Sequence, residues 1–141
     1  MKDQLPKRMK NGNYIVNLQS SSQGNGTHWT ALIVENQDVC FYDPFGAPPP
    51  IQIRTFVKTR PNAHLGFNNW IIQDLKSDNC GYFVLSLFVY LQHYKRKNIY
   101  KIINTYVNMF NDDTKQNDDI LRKTFKSFGK SHPFIDRLYN Q

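Results

Sequence analysis

At 141 residues, of which 40% are hydrophobic, the chain has the size of one ordinary domain with one core, and residues 1–141 are read as that single unit. A net charge of +7 points to acidic peptides, acidic surfaces or nucleic acid as partners, although KRK at 95–97 is the one tight basic cluster and reads as a solvated helix end. Two cysteines exclude a disulfide framework, and with four scattered histidines they give no zinc-type spacing, so no metal is expected.

The opening MKDQLPKRMKNG lacks the apolar stretch of a secretory leader. YIVNL at 14–18 is rich in β-formers and reads as a strand, followed by a Gly- and Asn-bearing loop at 20–26. HWTALIVE (28–35), the tight turn NQD and VCFYD (39–43) read together as a hairpin, stopped by the prolines of DPFGAPPP. IQIRTFVKT (51–59) fits either a helix begun by Pro50 or an extended segment, and the helix is the favoured reading. NWIIQDL (69–75) reads as a further strand. SDN then offers cap residues for a long helix over about 80–94, and two more helical stretches follow at roughly 98–110 and 114–128. Strands first and helices afterwards argue for an α+β fold. The run CGYFVLSLFVYL at 80–91 is too short to span a bilayer and reads as a buried helix, so no membrane association is expected and the chain is read as a soluble protein of a reducing compartment.

Cys80 stands directly after the polar triplet and directly before the apolar helix. A thiol at a helix N-terminus feels unpaired backbone N–H groups and the positive end of the peptide dipoles, both of which favour thiolate, the nucleophilic form. Against this stands the plain reading of Cys80 as a small buried hydrophobe. The hairpin tips the balance. His28 begins one strand and Asp43 ends the next, so the two arrive at the same end of the sheet, where a carboxylate can orient an imidazole for a nucleophile. Strand alternation sets Val39 and Phe41 with Asp43 and turns Cys40 and Tyr42 to the other face, where Cys40 packs and takes no chemistry. Gln73, just before the segment that delivers Cys80, can offer an amide to a developing oxyanion, with the Cys80 N–H as second donor. Gly81 and Trp29 are read as substrate-groove positions, Gly81 because it carries no side chain where a substrate backbone must approach.

The order GTHW, DPFG and Q-x6-C-G resembles the adenovirus maturation protease and its relatives in virophages and other large DNA elements, which share a cysteine-protease fold with the SUMO-specific proteases. The resemblance covers roughly residues 12–92. It implies a small, mainly antiparallel sheet packed against helices, with the nucleophile at the N-terminus of a buried central helix. It gives His28 the role of base, Asp43 that of orienting acid, Gln73 that of oxyanion amide and Cys80 that of nucleophile, with Trp29 as the indole following the base. The activity implied is a cysteine endopeptidase that cuts capsid or scaffold precursor polypeptides during virion maturation. It would act as a monomer in the virion and in the host cytoplasm or nucleus, need no cofactor, and be open to stimulation by DNA. Three other readings fit the same residues or charge: a ubiquitin-like deconjugase, an acyltransferase of the same fold, and a catalytically silent module that binds nucleic acid.

Overall fold

The hairpin read from residues 28–43 is the centre of the sheet. In a computed structural model, which describes residues 1–24, 26–92 and 98–129, strand β2 (Trp29–Glu35) pairs antiparallel with β3 (Asp38–Tyr42) in the register Ala31 to Tyr42, Leu32 to Phe41 and Ile33 to Cys40. The turn between them needs one left-handed residue, and Asn36, a side chain that tolerates this conformation, takes it at φ 54°. Strand β1 (Gly12–Asn17) lies antiparallel on the other side of β2, and β4 (His64–Phe67) runs parallel to β3, so the spatial order is β1-β2-β3-β4.

The apolar run of β2 is explained by burial on both faces. Ala31 and Ile33, with Cys40 and Tyr42 of β3, form one cluster with Phe83, Val84 and Leu87 of α2 (Cys80–Gln92). The same cluster takes Ile99, Ile103, Tyr106 and Val107 of α3 (Ile99–Val107) and Leu121 and Phe125 of α4 (Thr114–Gly129). Leu32, Val34, Val39 and Phe41 point the other way, onto Ile53, Phe56 and Val57 of α1 (Ile51–Val57). Each such side chain contributes about 1.5–3 kcal/mol when fully buried, so the sheet is clamped between two apolar layers. The fold is α+β, and its sheet is mixed through the single β3–β4 pairing.

Helix starts follow local chemistry. The side chain of Asn98 accepts the Lys101 N–H at 3.0 Å at the head of α3, and that of Asp113 accepts the Lys115 N–H at 3.1 Å at the head of α4. The helix expected over 80–94 is described as far as Gln92; its last two positions and the KRK cluster lie outside the described residues. No helix among the described residues is long and apolar enough to cross a membrane.

One element differs. Residues 69–75, read as a strand, form an irregular segment, and the fourth strand lies earlier, at His64–Phe67. Period-2 burial is absent from 69–75: Trp70 and Ile71 are both exposed, Ile72 and Gln73 are both fully buried, and Leu75 is exposed again. Successive N–H groups of Ile72 and Gln73 both turn to the Pro44 carbonyl, at 3.0 and 3.3 Å, rather than alternating along a ladder. The true strand is hidden by Gly66. A Cβ there would lie 2.7 Å from Cε1 of Tyr100, whose hydroxyl accepts the Val39 N–H at 3.2 Å and donates to the His64 carbonyl. Tyr100 thus bolts β4 to β3 across a glycine.

Gly66→Ala should therefore overpack this contact and cost about 1–3 kcal/mol, read as a lower denaturant midpoint with an unchanged m-value. An unaltered midpoint would mean that the Tyr100 ring is not seated on Gly66.

Candidate active site

The end of the β2–β3 hairpin brings a base and an acid together. His28 immediately precedes β2 and Asp43 immediately follows β3, and His28 Nε2 lies 2.9 Å from Asp43 Oδ1. Asp43 is completely buried. Its Oδ1 also accepts the Phe45 N–H at 2.8 Å, while Oδ2 is buried with no hydrogen-bond partner. The acid therefore relies on the imidazole. The residues after it form a tight turn, in which the Gly46 N–H donates to the Asp43 carbonyl at 2.8 Å. Gly46 sits at φ 66°, where a Cβ would strike the Trp70 backbone at 2.9 Å, so glycine is required at the end of DPFG. Asn68 clamps the acid from the side, accepting the Asp43 N–H at 2.9 Å and donating to its carbonyl at 2.7 Å.

Phe45 stacks on the His28 ring at 4.7 Å between centroids and 19° between planes. With the ring plane fixed by Phe45 and Nε2 fixed by Asp43, only Nδ1 remains to act. It is buried and makes no hydrogen bond, and the His28 ring is coupled electrostatically to the Cys80 thiol. Because Nε2 carries the proton donated to Asp43, neutral His28 presents a lone pair at Nδ1, the state of a general base.

Cys80 is the first residue of α2. The helix opens on the Asn79 carbonyl, which accepts the Tyr82 and Phe83 N–H groups at 2.9 and 3.2 Å, but the Asn79 side chain turns away to Asp118. Among the described residues no acceptor takes the Cys80 N–H, so it remains free at the positive end of the helix. The sulfur receives the Trp29 backbone N–H at 3.3 Å. Burial pushes the Cys80 thiol up, but the interaction with His28 and the Trp29 and Gly81 N–H groups outweigh it and hold the group below its ordinary value. Burial likewise works against the His28 imidazolium, and here the hydrogen bond and charge of Asp43, together with Cys80, win and lift it to about 9. Cys40 supplies the contrast: packed in the core beside Tyr42, it is pushed up to about 12 by burial alone.

The other expected residues fall nearby with differing fits. Trp29 is 38% exposed at the sheet end, and a Cβ added at Gly81 would stand 3.8 Å from its Cδ1, an ordinary contact. The protein itself thus has room for a side chain at Gly81, and its bare backbone is available to something outside the chain. Gln73 is completely buried, on the irregular segment rather than at a strand end. Its Nε2 donates to the carbonyl and hydroxyl oxygens of Ser77, both at 3.0 Å, and its Oε1 has no partner. Phe45, Asn68 and the Trp29 N–H were missed by sequence reasoning. The first had a signal, an aromatic two residues after the acid in a turn that folds back over the base; the other two depend on packing. Among the described residues no group of three or more His, Cys, Asp or Glu is placed to hold a metal ion. The sequence matches no protein-family model and no curated protein.

The charge pair sets a pH window. The folded His28 value is raised, so its contribution to stability is fully present below about 6.5 and is lost as pH rises through about 9. The folded Cys80 value is lowered, so its contribution is present above the ordinary thiol value and is lost as pH falls through the folded one. Thiolate and imidazolium therefore coexist between the folded Cys80 value and about 9. Iodoacetamide near pH 7 should label Cys80 far faster than Cys40, and His28→Ala should slow the labelling of Cys80 while leaving that of Cys40 unchanged. Equal labelling of the two cysteines in the native protein would refute the ion pair.

Proposed function

We propose that the protein is a cysteine endopeptidase of the adenovirus-maturation type, with Cys80 as nucleophile, His28 as base and acid, and Asp43 as the residue that orients His28. The observation that carries this reading is the sulfur of Cys80 at an unpaired helix start, receiving the Trp29 N–H and interacting with a histidine whose far nitrogen is held at 2.9 Å by a buried carboxylate. Cys40, in the same chain, has none of these partners and stays a thiol.

In this mechanism the Cys80 thiolate attacks the scissile carbonyl, and the carbonyl oxygen takes up the negative charge. The free Cys80 N–H is one donor to that oxyanion, and a single such donor is worth roughly 2.7–4 kcal/mol. Gln73 is the second donor, its Nε2 group leaving Ser77 as the carbonyl arrives. Protonated His28 gives its Nδ1 proton to the leaving amine, and the C–N bond breaks to leave a thioester on Cys80. His28, neutral again, takes a proton from water, which attacks the thioester and releases the acid and the free thiolate. Asp43 keeps Nε2 as the protonated nitrogen throughout.

The bare backbone at Gly81 beside the half-exposed Trp29 favours a narrow, extended polypeptide with small residues at the scissile bond, and a viral capsid or scaffold precursor is the substrate class proposed. Cys80→Ala should abolish cleavage of such a precursor, by about 10⁴-fold or more, while the thermal midpoint stays close to that of the parent. Cleavage at the parent rate would place the nucleophile elsewhere. Acetylation of a Lys, Ser or Thr from acetyl-CoA, without peptide hydrolysis, would transfer the same residues to the acyltransferase reading.

A further inference from the structure

Resting on the reading of Cys80 and His28 as a reactive pair, we propose that Asp118, on helix α4, is a positioning residue that fastens the segment preceding the nucleophile and so holds the Cys80 sulfur against His28.

Asp118 is buried on a helix remote in sequence from the rest of the site, and among the described residues it forms no ion pair. Its charge is spent on one stretch of chain. Oδ2 accepts the Asp74 N–H at 2.9 Å; Oδ1 accepts the Asn79 side-chain amide at 2.6 Å and the Ser77 hydroxyl. A buried carboxylate without a cation is expensive, and bonds to it are stronger than neutral ones, so this acid exerts a firm grip where it does bond. Its neighbour Asn117, fully buried, grips the same stretch further back, donating from Nδ2 to the Ile72 carbonyl at 2.9 Å and to the Asn111 carbonyl at 2.7 Å.

The gripped positions bracket the chemistry. Ile72 and Asp74 flank Gln73. Ser77 hands Asp118's hold on to the Gln73 amide, because its hydroxyl donates to Asp118 and its oxygens receive Gln73 Nε2. Asn79 directly precedes Cys80, and its carbonyl begins α2. By drawing the Asn79 side chain to itself, Asp118 also fixes the residue whose carbonyl opens the helix, directly before the Cys80 N–H. A shift of the carboxylate would therefore move the sulfur, the free N–H and the glutamine together.

The test uses the full chain and two readouts: the pH profile of Cys80 alkylation by iodoacetamide, followed by peptide mapping, and kcat and KM on a precursor peptide. In Asp118→Asn an amide N–H must face one of three donors, so the segment loosens. Alkylation at pH 6 should fall about 10-fold and its profile should move toward that of an ordinary thiol near 8.5, and kcat should fall roughly 10²-fold, the scale of a 1 Å misplacement, with KM little changed. Asp119→Asn, one position along and exposed, should behave as the parent. Ser77→Ala should move the same readouts, and adding it to Asp118→Asn should give less than the sum of the two. If Asp118→Asn lowers the melting temperature but leaves the alkylation profile and kcat at parent values, Asp118 is a structural tie only and the proposal is wrong. If that variant does not fold, Ser77→Ala decides, and parent behaviour there overturns the proposal. A parent protein whose Cys80 alkylates like an ordinary thiol at every pH would instead bring down the active-site reading itself.

Discussion

The site depends on one buried contact, the 2.9 Å approach of His28 Nε2 to Asp43 Oδ1. A carboxylate sealed from water has to find donors inside the protein, and Asp43 has the Phe45 N–H on the same oxygen and nothing on the other. The imidazole is thus the acid's principal partner as much as the acid is the imidazole's. Mutual need of this kind fixes the tautomer, the Phe45 face fixes the ring plane, and together they make the hairpin end a rigid acid–imidazole pair.

The DPFG turn extends that rigidity to the other half. Within four residues it supplies the acid, an aromatic face under the base, and a carbonyl at Pro44 that takes the N–H groups of Ile72 and Gln73. The segment that leads to Cys80 is therefore suspended between two supports, the turn at its start and Asp118 at its end. This arrangement explains why residues 69–75 gave up a ladder. A regular strand there would have spent those N–H groups on a neighbour and left the loop attached at one point only.

The same contrast shows what was legible in the sequence. The hairpin, the later helices and the meeting of His28 with Asp43 followed from local patterns: a nearly continuous apolar strand, a tight turn, and the arithmetic of an antiparallel register. Those elements are determined within about fifteen residues of chain. The fourth strand and the irregular 69–75 stretch were misread because each is decided by a distant partner, Tyr100 over Gly66 in one case and Pro44 in the other. Local apolar content favoured NWIIQDL as the strand, and tertiary contacts overrode it. The α4 contribution was illegible for a related reason. An Asp–Asp pair on an amphipathic helix reads as solvated surface, and nothing local separates buried Asp118 from exposed Asp119.

Helix α2 shows how the two levels join. Asn79 is a residue type that ordinarily caps a helix with its side chain, a choice that would have stabilised α2 by about 1 kcal/mol. Here only its carbonyl serves the helix, and its amide is given to Asp118. A side-chain cap would have taken the Gly81 or Tyr82 N–H; with Asn79 drawn away, the Gly81 N–H is left to act on the Cys80 sulfur, and the Cys80 N–H, which a cap of this kind does not reach, stays unpaired at the helix start. A cysteine conserving only packing would be better placed where Cys40 is, in the middle of a strand with its thiol pushed up to about 12. The two cysteines, on the facing elements β3 and α2, thus end with opposite tendencies: burial acts alone on Cys40, whereas Cys80 has the His28 ring and the Trp29 and Gly81 N–H groups beside it.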